Sequence, residues 1–202
     1  MTDLDIRLPE EMRRAGPSDW QTMGAITADA FQNDPVSSWI FDNTRAMAPI
    51  FGRQARYLYL PHGLCHLIED VGATMWRLPG APKQPSLWGR LDIALTMIRH
   101  AGIGGARRGL RAEAEMTRKK PTEPHAYLFT IGVHSSGQGK GLGRRLLAPM
   151  LEALDRAGLP AYLENSNPRN HSFYAGHGFA HMEHFNPVPG APPLEAMWRE
   201  PS

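Results

Sequence analysis

Residues 125–145, HAYLFTIGVHSSGQGKGLGRR, decide the fold. His125 to Val133 is an uncharged run of aromatic and branched residues, the composition of a buried strand. Ser135 to Gly139 is a turn. A helix is expected from Lys140 to Ala157, with Leu142, Leu146, Leu147, Met150, Leu151 and Leu154 as a stripe of period near 3.6. Pro149 falls inside it and should kink it or remove one hydrogen bond. Gly158 and Pro160 stop it. The glycines let the backbone approach a ligand closely, and free amides at a helix N-terminus bind anions. Lys140 is followed by Gly141, where a Walker loop needs Ser or Thr. The glycines fall at alternate positions, so G-x-G-x-x-G fails as well. What remains is Gln138-x-x-Gly141-x-Gly143.

Downstream, Pro160 to Glu164 reads as a strand. Asn167-Pro168 opens a short helix to about Ala175. Phe179–Phe185 and Glu195–Arg199 close the sheet. Upstream, Met12–Ala15 is a short strand, and a helix runs from about Asp19 to Phe31 until Asn33-Asp34-Pro35 stops it. A second helix is expected from about Thr44 to Leu60. Leu64–Glu69 and Ala73–Leu78 form a hairpin about Asp70-Val71-Gly72. Between them and His125 lie two helical stretches, about Ser86–His100 and Ala106–Thr117.

The chain has 202 residues, enough for one domain with its own core. We expect a single domain over 1–202. Its parts are N-terminal helices and hairpin (10–80), a long connection roofing the acceptor site (79–124) and a cofactor-binding half (125–199). One cysteine, Cys65, excludes a disulfide framework. No apolar run approaches a membrane span, and the opening Met-Thr-Asp-Leu-Asp carries acid where a signal peptide carries base, so a cytoplasmic protein is expected. The net charge of +2 is too small to imply nucleic acid, although Arg99 to Lys120 is locally basic, most simply a solvated helix face.

The Gln138-x-x-Gly141-x-Gly143 turn after a strand ending in Val133 resembles the acyl-CoA loop of the GNAT family of N-acetyltransferases. Leu163 to Asn170 and Phe173-Tyr174-x-x-x-Gly178-Phe179 resemble that family's second half. The likeness is nearest to its puromycin N-acetyltransferase-like, drug-modifying branch and extends to the proline inside the helix. The resemblance implies an α/β fold with a mixed, mostly antiparallel sheet, helices on both faces and strands splayed near Gly132. It implies acetyl-CoA as cosubstrate and direct transfer of acetyl to a primary amine of a small molecule in a ternary complex. Backbone groups of Ile131, Gly132 and Val133 would pair with the pantetheine arm, with Gly132 suited to a bulge. Amides from Gly139 through Lys140, Gly141, Leu142 and Gly143 to Arg144 would hold the pyrophosphate, with side chains of Gln138, Lys140 and Arg144 adding contacts. Asn170 would contact the cofactor arm, and Tyr174 would be the general acid. Glu164 would be the general base through a water, or would bind an ammonium. Protein or peptide acetylation and a non-catalytic acyl-CoA-binding module are the competing functions.

No metal is expected. His62 and His66 flank Cys65, and His177, His181 and His184 recur, but Gly178 and the following strand break helical spacing in the second group. Cys65 reads as a small buried hydrophobe. Trp39, Tyr59, Trp76, Trp88 and Met97 are the apolar candidates for the acceptor site. A monomer or homodimer is expected.

Overall fold

The structure, a computed structural model, describes residues 4–202. Seven strands make one sheet in the order β1-β2-β3-β4-β5-β7-β6. They are β1 (Met12–Arg14), β2 (Leu64–Ile68), β3 (Gly72–Arg77), β4 (Ala126–Val133), β5 (Ala161–Asn165), β6 (Ala180–Phe185) and β7 (Leu194–Arg199). Every neighbouring pair is antiparallel except β4 and β5. A parallel pair needs a crossover, and α6 (Leu142–Arg156) supplies it. The remaining helices are α1 (Trp20–Ala30), α2 (Pro35–Phe41), α3 (Met47–Gln54), α4 (Leu60–His62), α5 (Leu87–Lys119) and α7 (His171–Ala175), with a wide π-turn at Ala55–Tyr59 joining α3 to α4. Among the described residues no helix is long and apolar enough to cross a membrane. The mixed, mostly antiparallel sheet with helices on both faces is the expected fold class.

The expected elements recur with shifted ends, and three differ. Asn33-Asp34-Pro35 ends α1 but also begins α2, which the sequence reading lacks. The Asp34 carboxylate accepts from the Ser37 amide at 2.7 Å and Pro35 takes the first helical position. The two stretches of the connection form one element, broken only at Gly102 (φ 68°, ψ 176°). Pro149 is buried within α6, which runs on to Arg156, so it costs a hydrogen bond without ending the helix.

The sheet separates two cores. On one face α6 and α7 cover Leu64, Trp76, Leu128, Leu163 and Met197. On the other, α1 and the turn after α3 cover Cys65, Leu67, Ala73 and Met75, while Tyr127, Tyr162 and Ala196 meet Val36 and Met116. Each fully buried Leu or Met contributes about 2 kcal/mol relative to exposure. β4 carries a bulge: Trp76 pairs Leu128 and Met75 pairs Thr130, leaving Phe129 as the extra residue. The bulge therefore lies at Phe129 and not at Gly132. Gly132 serves packing instead, because a Cβ there would stand 3.0 Å from the Ala30 Cβ and push α1 off the sheet.

Candidate active site

β4 and β5 pair only over Ala126–Leu128 and Ala161–Leu163. Beyond Leu128 they part, four residues before Gly132, at the bulge. Bulges bend a strand and end pairing. The flank of β4 that carries Ile131, Gly132 and Val133 thus has no strand partner on the β5 side among the described residues, and an extended ligand can pair there.

The glycine turn closes one end of this gap. His134 donates its amide to the Val71 carbonyl at 2.8 Å. The Ser135 amide donates to Asp29 of α1 at 2.6 Å. Gly139 (φ 76°) and Gly141 (φ 74°) are left-handed, and the space where their Cβ atoms would stand is open. Gly141 is the N-cap of α6, and no side chain of the described residues caps the helix. The amides of its first turn face that opening with the positive end of the helix dipole, an anion site. Two expected side-chain contacts point elsewhere. Gln138 donates to the Val133 carbonyl at 3.0 Å and Lys140 to the Ser136 carbonyl at 3.0 Å, so both brace the turn itself. Gly143 lies against the Phe173 ring, 3.2 Å from its would-be Cβ, and sets how closely α6 meets α7. Leu142 is buried and Arg144 exposed.

Tyr174 sits in α7 against Phe173 and Phe179, 8% exposed. Burial, and then the charge of Asp34, pushes its phenol well above the ordinary range. It keeps its proton until a stronger base forms beside it. Asp34 is buried and also accepts from the Ser166 hydroxyl at the end of β5. Asn170 precedes α7 and is exposed.

Glu164 points to the opposite face. Its carboxylate is 1% exposed, accepts from the Tyr127 hydroxyl at 2.6 Å and lies 3.9 Å from the Lys120 ammonium. That ammonium also stands 3.6 Å above the Tyr127 ring. The residue as a whole is half-buried, because its backbone borders the gap while its side chain does not. Burial raises the Glu164 pKa against the pull of Lys120 and Tyr127, and lowers that of Lys120.

Sequence reasoning missed Asp29, Asp34, Lys120, Tyr127 and Ser166. Each acts through a partner far along the chain, which spacing does not register. The signal for Asp34 was its place before Pro35, read as a stop alone. Of the apolar acceptor candidates, Trp76, Tyr59 and Met97 are core and Trp88 is 79% exposed. Only Trp39, beneath the Arg108 guanidinium, is half-buried. Cys65 is buried as expected, its thiol pushed up to about 12 by burial. His177 turns to the Phe173 carbonyl, while His181 and His184 converge on Glu195, a residue the spacing argument did not include.

Residues 99–179 match the Acetyltransferase (GNAT) family. An uncharacterized N-acetyltransferase of Schizosaccharomyces pombe is 27% identical over 94% of this chain and 83% of its own. A crystal structure from Corynebacterium glutamicum, described as histone acetyltransferase HPA2 and related acetyltransferase, superposes with a TM-score of 0.68 at 24% identity, covering 95% of this chain and 96% of that one. The C-terminal condensation domain of Ebony, solved with beta-alanyl-dopamine, superposes at 0.60 with 11% identity, over 98% of this chain and 100% of that one. The fold is the GNAT fold, and the family match over residues 99–179 together with the relative supports an acetyltransferase. Acetyltransferases of this family use acetyl-CoA.

Proposed function

We propose that the chain transfers acetyl from acetyl-CoA to a primary amine of a small molecule, in the manner of the drug-modifying, puromycin N-acetyltransferase-like branch. The observation that carries the reading is the parting of β4 from β5 beside an uncapped, glycine-rich helix start, with Tyr174 in the same core cluster as Leu128, Ile131 and Leu163 of those strands. Amides from Gly139 to Arg144 hold the pyrophosphate, and Ile131 to Val133 pair with the pantetheine arm. Asn170 lies beside that arm. The amine attacks the thioester carbonyl, the carbon–sulfur bond breaks, and Tyr174 gives its proton to the departing thiolate. Asp34 is buried and spends both carboxylate oxygens, one on the Ser37 amide and one on the Ser166 hydroxyl, so it ties α2 to the end of β5. Glu164, sealed at 1% exposure, is a positioning residue that holds Tyr127 and Lys120 where β4 and β5 are still paired.

What supports a small acceptor over a peptide is the cover that α5 gives its neighbours. The second half of α5 lies on α2, with Arg108 donating to the Ile40 carbonyl at 3.0 Å, and Ala112 packs against Val188 and Ala191 of the β6–β7 connection. This reading keeps residues 79–124 as the roof of the site within a single domain. Titration calorimetry with acetyl-CoA tests the cofactor half. Wild type should bind, and Gly141→Asp, which places a strained L side chain and a negative charge at the anion site, should not. No binding by wild type would overturn the reading. Acetylation of peptides but of no small amine would overturn the acceptor class.

A further inference from the structure

We propose that His181, His184 and Glu195 form a zinc site at the outer edge of the sheet, with His171 hydrogen-bonded to the same carboxylate. β6 is the edge strand. Two side chains three residues apart in a regular strand face opposite ways. Here the register slips between His181 and Glu183, with Met182 as the extra residue, so His181 and His184 share a face. Glu195 of β7 pairs directly with His184 and is buried on that same face. Donor atoms of His181, His184 and Glu195 all lie within 4.8 Å of one another. His171, the first residue of α7, brings its Nδ1 to 2.8 Å from Glu195 Oε1, and His181 Nδ1 stands 3.0 Å from the same oxygen. The other oxygen, Oε2, accepts from the Asn165 amide at 3.0 Å.

Two convergent imidazoles and one carboxylate are three ligands of a tetrahedral zinc site whose fourth position is open to water, and they are too few and too nitrogen-rich for calcium or magnesium. The Asn165 hydrogen bond orients the carboxylate from behind, as the outer partners of metal ligands do. The imidazoles are half exposed and line an open cavity of about 360 Å³ with Pro168, so an ion has an entry path. The ion takes the place of the protons now shared between two imidazoles and one oxygen. Its position is outside the gap between β4 and β5, and it ties β6, β7 and the start of α7 together. Tyr174 lies three residues along that helix, so the ion stiffens the element that presents it.

Cobalt(II) and zinc(II) titrations of the whole chain, stripped with a chelator, test the site. One equivalent of cobalt should give the intense visible bands of a tetrahedral centre, and one equivalent of zinc should displace them. The His181→Ala/His184→Ala double variant should lose the bands and the thermal shift that zinc gives wild type. Asn165→Ala should bind about tenfold more weakly. Both histidines are exposed, so a far-ultraviolet spectrum like that of wild type is expected for the double variant, and His184→Gln alone serves if it is not. Octahedral cobalt spectra, or equal binding by wild type and the variants, would overturn the site. None of these readouts depends on acetyl transfer.

Discussion

Tyr174 has a buried phenol, a nearby Asp34 carboxylate and no hydrogen bond to its hydroxyl among those of the described residues. Such a group holds its proton through neutral pH and releases it only to a strong local base such as a thiolate. Tyr174→Phe removes one oxygen from a packed ring and leaves the glycine turn untouched. Turnover should fall by about 100-fold or more, the usual worth of a positioned acid, while acetyl-CoA affinity stays near that of wild type. Steady-state kinetics beside a binding isotherm separates the two, and unchanged turnover would remove Tyr174 from the reaction. Glu164→Gln addresses a different role. It keeps the shape but weakens the hold on Lys120, so it should lower thermal stability more than it lowers turnover. A loss of the acid limb of the rate profile in that variant would return the base to Glu164.

The glycine turn is held as an element through contacts that sequence neighbours do not make. Asp29 of α1 accepts from the Ser135 amide and hydroxyl and lies 3.5 Å from His134 Nε2. Arg145 in the first turn of α6 pairs with Glu11. Backbone amides bind a phosphate well only when they are already aimed at it. Asp29→Ala should therefore weaken acetyl-CoA binding several-fold, although the residue itself is placed to touch only the turn. Calorimetry on the variant checks this, and the loss should appear as a more unfavourable binding entropy. The two bulges teach a related lesson. At Phe129 an extra residue lets Leu128 and Ile131, three apart, face the same core. At Met182 the same device turns His181 and His184 to one side.

The whole molecule has a built-in response to acid. His66 of β2 is 2% exposed, and burial, followed by the charge of Arg14, lowers its pKa from 6.5 to about 4. The unfolded chain takes up that proton near pH 6.5 and the folded chain only near 4. Between these values the unfolded state binds more protons, so stability falls as pH drops from about 6.5 to about 4 and is level in this respect above it. Chemical denaturation at several pH values should show that slope in wild type, and His66→Leu should flatten it. With the same sign at lower pH, Asp19 is held at about 2 by the Arg13 guanidinium, so its contribution is present above the ordinary carboxylate value and is lost as pH falls towards 2.

The sequence by itself determined the order of elements, because hydrophobic period, proline and glycine act over a few residues. Residues 125–145 announced strand, turn and helix, and the left-handed glycines at 139 and 141 follow from a local need that only glycine meets without strain. Only the tertiary structure decided which side chains meet. Asp34 reaches Ser166, and Lys120 stands over Tyr127 and beside Glu164. Gly132 is a packing residue because Ala30 lies above it. Spacing along the chain separates His171, His184 and Glu195, whereas strand pairing and a one-residue bulge bring them together. The reason is physical: propensity and capping are short-range, while burial, pKa and donor convergence depend on groups far apart in the chain.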